Sequence, residues 1–505
     1  MPILFSDPEA IAEHIIRDVG TELVVGLPLG LGKANHIVNA LYARAVADRS
    51  VNLTLFSALT LEKPKPNSLL ERRFIGPVID RLFGGYPELA YADALHRGVL
   101  PPNVKVIEFF FLAGQWLYQP FAQQNYISAN YTHAASYLLS RGLNVVPQLV
   151  AKRVVDGVPR YSLSCNTDTT LDVLRARAQG RASFKLFGQV NSELPFMPGP
   201  GDLPADEFAA VLDSPDTDFP LFAPPSEPIS DTKYAIGLYA AGLVRDGGTL
   251  QIGIGQVGDA LAQGLVIRHR DNVQFHSVMQ RLAPGTAQLA AAETGPFEKG
   301  LYGVSEMLFE AFLGLIDSGI LKRDVDGVNL HGAFFLGPQS FYRALREMTP
   351  EQLARIQMMP VSFTNEIFGD EAGTIGHSER EGAETYVGQW DPERESGIVA
   401  FDQFDVPAGG VWLRYWQSPD DGHANLAPNI PEIAIAVENR YAGNRLAVRL
   451  LQAAVELAKR QGAPKVALWV DPDNDRARHR YEKFGFKDVE GEDDVMVVDV
   501  EDFTA

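Results

Sequence analysis

One carboxylate and two glycine turns carry the chemistry that can be read directly from residue type and spacing. In GVSEMLFEAF (303–312), Glu306 stands where a Gly-Val-Ser turn runs into an apolar stretch predicted to be a helix. An acid there has two readings. It is a first-turn residue behind an N-cap Ser305, or it is a nucleophile that divides one difficult transfer into easier covalent steps. A helix N-terminus just behind it would favour its negative charge. Gly26, Gly30 and Gly32 follow an apolar run, and Gly253, Gly255 and Gly258 follow a second one. Such turns let backbone amides approach a pyrophosphate or an oxyanion, although tight strand-to-helix turns need glycine in any case. His36 and His133 are polar residues in the same region, each either a structural hydrogen-bonding histidine or a catalytic one.

The elements that must position these residues alternate. ELVVGLPLGLG (22–32) reads as a buried strand ending in a glycine turn, and KANHIVNALYARAVA (33–47) as the helix after it. VNLTLFSAL, VKVIEFFF and LNVVPQLVA are further strands. Strand–helix alternation predicts an α/β fold with open parallel sheets. Residues 191–230, dense in Pro and Asp, read as an extended connection and not as an element interior. A second α/β segment, 231–370, has a helix at 232–244, the strand TLQIGI (249–254) and a helix from near Val257. A third, 375–505, opens with antiparallel strands SGIVAF and GGVWLRYW. It continues with the strand PEIAIAV (431–437) and a helix with Leu446, Leu450, Leu451, Ala454, Leu457 and Ala458 on one face. The strand KVALWV, the helix DRARHRYEKFGF and the closing strand DVMVVDV follow.

Composition narrows the function. The 505 residues suffice for several domains. A net charge of -20 argues against nucleic acid and anionic membrane as partners, while leaving room for one local basic pocket. A single cysteine, Cys165, excludes an internal disulfide and a multi-cysteine metal site. The histidines do not cluster at ligand spacing, so no metal is expected. The N-terminus shows no secretory signal and no apolar run is long enough to span a bilayer, which predicts a cytoplasmic protein.

GLPLGLGKANHIVNALY, QQNYISANYTHAASYLL, GGTLQIGIGQVGDALAQGL and KGLYGVSEMLFEAFLGLIDSGIL resemble the acetyl-CoA hydrolase/CoA-transferase family over about 1–370. The resemblance implies two related α/β domains, an acyl-CoA and a carboxylic acid as substrates, a CoA-site role for the two glycine turns, and a homodimer. It also implies that Glu306 forms a covalent glutamyl-CoA thioester. The chain departs from the family where a glycine-rich loop near the acyl-CoA is expected. No Gly-Gly pair occurs between 330 and 408, so the second domain reads as shortened.

PEIAIAVENRYAGNRLAVRLLQAAVELAKRQGAPKVALWVDPDNDRARHRYEKFGF resembles the GNAT N-acetyltransferases, whose fold is a mixed, mostly antiparallel sheet. The resemblance implies that backbone 437–447 binds the pyrophosphate of acetyl-CoA, with Val437, Gly443, Asn444, Arg445 and Ala447 as cofactor-binding positions. Arg445 stands where the family has a glycine. It either strains the loop or pairs with a phosphate. Asn474 matches an asparagine after the fifth strand, Tyr481 the general acid that protonates the leaving thiolate, and Glu432 a general base acting directly or through water. The alternatives are an aromatic packed on the sheet for Tyr481 and a solvated strand-end acid for Glu432. The usual first strand and helices of that domain are hard to find in 370–390.

The leading expectation is a bifunctional enzyme using CoA or acetyl-CoA as substrate, with an amine acceptor for the GNAT part. The rivals are a chain in which only the GNAT unit is active, or a CoA-binding regulatory protein.

Overall fold

The computed structural model describes residues 1–66, 68–223, 227–282, 293–363, 386, 390–391, 395–416, 418 and 421–501. The chain divides into two compact units, 1–371 and 372–505.

In the first unit the strands are β1 (Ile3–Phe5), β2 (Glu22–Gly26), β3 (Asn52–Ser57), β4 (Val104–Glu108), β5 (Val145–Val155), β6 (Val158–Ser162), β7 (Lys185–Val190), β8 (Asp202–Pro204) and β9 (Phe208–Leu212). Among the described residues they form a sheet in the order β1-β9-β7-β5-β2-β3-β4, parallel throughout. β6 and β8 extend from β5 as antiparallel neighbours. The strands are Val/Leu/Phe-rich because helices cover both faces and bury alternate side chains on each side. The helix Asn35–Ala47, for example, inserts Ile37, Val38, Leu41 and Ala45 into the core beside β2 and β3.

The stretch 191–230, expected as a connection, holds β9 in the sheet interior between β1 and β7. FAAVL is a complete short buried strand, and the Pro and Asp residues occupy the turns on either side of it.

A second parallel sheet follows in the same unit: β10 (Thr249–Leu250), β11 (Tyr302–Leu308), β12 (Leu330–Phe335) and β13 (Ile356–Met358), paired in that order. The strand expected at 249–254 keeps only its first two residues in the ladder. Beside it, helices Asp231–Leu243 and Gln256–Arg270 cross closely, because a Cβ on Gly237 would lie 2.5 Å from the Ala260 carbonyl carbon. One apolar core runs from Leu149 of β5, with Leu31 and Cys165 in the turns beside the first sheet, to Leu308, Phe335 and Met358 of the second.

The second unit is one mixed sheet. Its strands are β14 (Gly397–Phe401), β15 (Pro407–Arg414), β16 (Glu432–Val437), β17 (Lys465–Trp469), β18 (Lys487–Asp488) and β19 (Val495–Asp499), ordered β14-β15-β16-β17-β19-β18. Every neighbouring pair is antiparallel except β16–β17. The helix Leu446–Arg460 buries Leu450, Leu451, Ala454, Val455 and Ala458 against it. The α/β fold class expected from the sequence, parallel sheets followed by a mixed one, is the one observed. Of the stretch 370–390, in which the first GNAT elements are hard to find from sequence, only Tyr386 and Trp390 are among the described residues.

Candidate functional site

The first glycine turn is organised around a lysine that the sequence reading passed over. Gly26 closes β2, and Gly30–Gly32 form a buried 3-10 turn in which Gly30 has φ +71°. Lys33, wholly buried, donates from Nζ to the carbonyls of Gly30 (2.9 Å), Ala58 (2.9 Å) and Leu59 (3.3 Å). Burial drives its amine down to about 7, opposed by the carboxylates of Glu108 and Asp168. Glu108 accepts from Trp116 Nε1 (2.7 Å) and the Thr60 hydroxyl (2.6 Å). Burial pushes its carboxyl up against those bonds.

Asp168, at the start of helix Asp168–Ala178, joins this turn to the second sheet. Its Oδ2 accepts from the Leu29 amide (3.1 Å), Asn166 Nδ2 (3.2 Å) and the Tyr131 hydroxyl, while its buried Oδ1 has no hydrogen-bond partner. Burial raises its carboxyl, and the bonds from Tyr131, Leu29 and Asn166 oppose that rise. The neighbouring Thr167 hydroxyl donates to the carbonyl of Ala333 (3.0 Å), and Asn166 bridges to Phe334.

Glu306 lies in β11, not at a helix start. The pairing of Ser305 with Gly332 and of Met307 with Phe334 holds residues 303–308 in the ladder, and the next helix begins only at Glu310, behind an N-cap Phe309. Ser305 is therefore a strand residue whose hydroxyl donates to the Met307 carbonyl (2.8 Å), not an N-cap. Glu306 lies between Ser305, paired with Gly332, and Met307, paired with Phe334, and Ala333 between those two partners accepts from the Thr167 hydroxyl. Glu306 keeps solvent access near the carboxyl end of a parallel strand, the end at which open α/β sheets bind ligands. Surrounding protein raises its carboxyl first by desolvation and then by the charge of Asp168. Tyr131, its phenol pushed far up by burial, senses both Asp168 and Glu306.

Of the second glycine turn, Gly253 is open to space, Gly255 (φ +113°) caps helix Gln256–Arg270, and Gly258 lies inside that helix. No side chain caps its N-terminus. The structure ties the first glycine turn to Asp168 directly; the second turn is linked to β11 through the Ser305 hydroxyl, 3.3 Å from the Ile252 carbonyl. His36 is held by Gln189 (Nδ1 to Nε2, 2.9 Å), with its imidazole lowered by burial. His133 ends the 3-10 turn that begins with Tyr131.

In the second unit β16 and β17 pair at one register only, Glu432 with Ala467, whereas β15 follows β16 along its whole length. The strands part beyond Glu432 towards Val437, opening a wedge. The chain then passes Gly443 (φ +91°), exposed Asn444 and exposed Arg445 before helix Leu446–Arg460, whose first turn includes Ala447. Arg445 has φ +58°, a left-handed backbone that costs a side-chain-bearing residue about 1 kcal/mol. No side-chain hydrogen bond caps the N-terminus of this helix.

Glu432 is not a solvated strand-end acid. It is 2% exposed and accepts from Tyr386 Oη (2.8 Å), Trp416 Nε1 (2.7 Å) and the His423 amide (3.2 Å). Asn474 caps helix Asp475–Phe484 by accepting from the Ala477 amide (3.1 Å). Tyr481, in that helix, is half-buried edge-on to Phe486 with ring centroids 5.9 Å apart, and burial raises its phenol. Among the described residues no group of three or more His, Cys, Asp or Glu could hold a metal ion, and no helix is long and apolar enough to cross a membrane.

Residues 364–486 match the model of the acetyltransferase (GNAT) family. The C-terminal unit is a GNAT domain. Solved structures of RipA are similar to most of the chain. One point variant of RipA shares 17% identity at a TM-score of 0.51, covering 73% of this chain and 70% of its own. A second point variant shares 18% at 0.50, covering 72% and 68%. A 4-hydroxybutyrate CoA-transferase from Porphyromonas gingivalis aligns at 17% identity and a TM-score of 0.43, over 72% of this chain and 68% of its own. No curated protein matches the sequence. The RipA likeness is one of fold, and at that level the resemblance read in the N-terminal region is met.

Lys33, Glu108, Asp168 and Tyr131 were missed because each looks ordinary in its own segment. The signals present were the lysine directly after GLG and Tyr131, the second of three tyrosines in QQNYISANYTHAASYLL.

Proposed function

We propose that the protein is a cytoplasmic two-part CoA enzyme. Its N-terminal unit acts as an acyl-CoA hydrolase or CoA-transferase through Glu306, and its GNAT domain transfers an acetyl group from acetyl-CoA to an amine. The observation that carries the first part is the solvent-reachable Glu306 carboxylate near the carboxyl end of β11, beside the buried Asp168–Tyr131 pair.

In this reading a Glu306 oxygen attacks the thioester carbonyl, the C–S bond breaks and the electron pair leaves on sulfur. The thiolate then attacks the Glu306 carbonyl of the anhydride and expels the carboxylate, leaving a glutamyl-CoA thioester. A second carboxylate collects CoA by the reverse sequence, or water releases it. The two glycine turns would receive the CoA and the developing oxyanion. In the GNAT domain, Val437, Gly443, Asn444, Arg445 and Ala447 would border the pyrophosphate, Asn474 would sit beside the cofactor, and Tyr481 would protonate the leaving thiolate. Glu432 would act as general base on the amine, directly or through water. A homodimer is part of the same proposal.

The test is peptide mass spectrometry after incubation with acetyl-CoA and borohydride trapping. A CoA-dependent modification on the Glu306 peptide, lost in Glu306→Ala, supports the reading. Its absence, with folded protein and intact amine acetylation, leaves the GNAT domain as the active part.

A further inference from the structure

Glu306 as a nucleophile must be anionic, yet reactive enough to attack a thioester. Thr167 and Asn166 fasten the 165–168 segment to Ala333 and Phe334 of β12, next to Glu306. That sets Asp168 alongside β12, the strand paired with β11, within electrostatic reach of Glu306. Its Oδ2 is saturated by Leu29, Asn166 and Tyr131, and its Oδ1 is buried without a hydrogen-bond partner. A buried carboxylate oxygen without a donor is costly and needs a reason.

We propose that Asp168, held by Tyr131, is a positioning residue that acts through Glu306: its charge destabilises the free Glu306 carboxylate and is relieved when Glu306 is acylated. The proposal rests on the glutamyl-CoA reading above. When the Glu306 oxygen bonds to the acyl carbon and the C–S electron pair departs on sulfur, Glu306 becomes neutral. The like-charge repulsion with Asp168 disappears at that step, so the interaction favours the covalent state over the resting one.

The other titratable groups around the pair are accounted for. Lys33 and Glu108 are engaged at the first glycine turn, Lys33 by three carbonyls and Glu108 by Trp116 and Thr60. Asp172, one turn along the Asp168 helix, is engaged by Ser362. Cys165 is wholly buried, its thiol pushed up by burial and by Asp168. His331 on β12 is bonded to Tyr302 (2.5 Å). Burial raises both carboxyls, and at Glu306 the charge of Asp168 adds to it.

The experiment measures Glu306 protonation without using CoA. The protein is labelled with a water-soluble carbodiimide and glycine ethyl ester across pH 4–8, and the 299–321 peptide is quantified by mass spectrometry. Wild-type labelling at Glu306 persists above the ordinary carboxylate range. Asp168→Asn removes the charge, and Tyr131→Phe removes a donor that keeps Asp168 ionised. Both move the Glu306 midpoint to lower pH, and the acidic limb of adduct formation with acetyl-CoA moves with it while KM holds. Protection of Cys165 from alkylation reports that each variant is folded. If Asp168→Asn does not fold, Tyr131→Phe decides alone. An unchanged midpoint in the folded variants overturns the proposal. A shifted midpoint without any CoA adduct in wild type keeps the electrostatic pair and sinks the glutamyl-CoA reading.

Discussion

Lys33 makes the stability of the N-terminal unit rise with pH in a range where most proteins are indifferent. In the unfolded chain its amine titrates near 10.5; in the folded unit burial lowers it to about 7. Between those values the unfolded state binds the extra proton, so the free energy of unfolding increases with pH by about 1.4 kcal/mol per unit. From pH 7.5 to 9.5 the gain is about 2–3 kcal/mol. The geometry agrees with a neutral amine at the upper end, because two donors suffice for the 2.9 Å bonds to Gly30 and Ala58, and only the 3.3 Å contact to Leu59 is given up. Lys33→Met removes this dependence. Cys165, the sole cysteine and wholly buried in the same unit, supplies the assay. Alkylation pulses after equilibration in urea, calibrated on fully unfolded protein at each pH, give the unfolding free energy of that unit alone. The wild-type advantage over Lys33→Met should widen by about 2–3 kcal/mol across the window. A constant difference would mean that Lys33 stays charged in the folded unit throughout, and the burial argument would be wrong.

Other perturbations test the remaining contacts. Gly32→Ala puts a Cβ 2.4 Å from Asn166 Oδ1, so the N-terminal unit should lose about 1–3 kcal/mol in the same alkylation assay, with weaker Glu306 adduct formation because Asn166 holds Asp168. Arg445→Gly relieves the left-handed backbone, less the extra entropy of glycine in the unfolded chain. The GNAT domain should gain about 0.5–1 kcal/mol, read by tryptophan fluorescence, since four of the five tryptophans lie in that unit. Glu432→Ala leaves Tyr386, Trp416 and His423 donors without their acceptor and should cost about 3 kcal/mol or more in the same measurement. Asn474→Ala removes a helix cap and should cost about 1 kcal/mol there.

Most elements could be read locally. The Val- and Leu-rich strands, the helix face of Leu450, Leu451, Ala454 and Ala458, and the antiparallel pair before PEIAIAV follow from apolar periodicity, which any segment carries within itself. β9 was hidden because five apolar residues between prolines and acids resemble a loop until β1 and β7 pair with them. Glu306 was placed one element too late. The helical pattern from Glu310 onward extends visually backward over it, and only hydrogen bonding to β12 pins residues 303–308 as a strand.

The sequence by itself determined the two-part organisation, the acidic character and the identity of the residues with chemical potential. Tertiary structure alone decided their neighbours. Leu29 meets Asp168 across 139 residues, Tyr131 meets it across 37, and Thr167 reaches Ala333 across 166. Charge and burial at a residue depend on what folds against it, and no local pattern records a partner so distant in the chain.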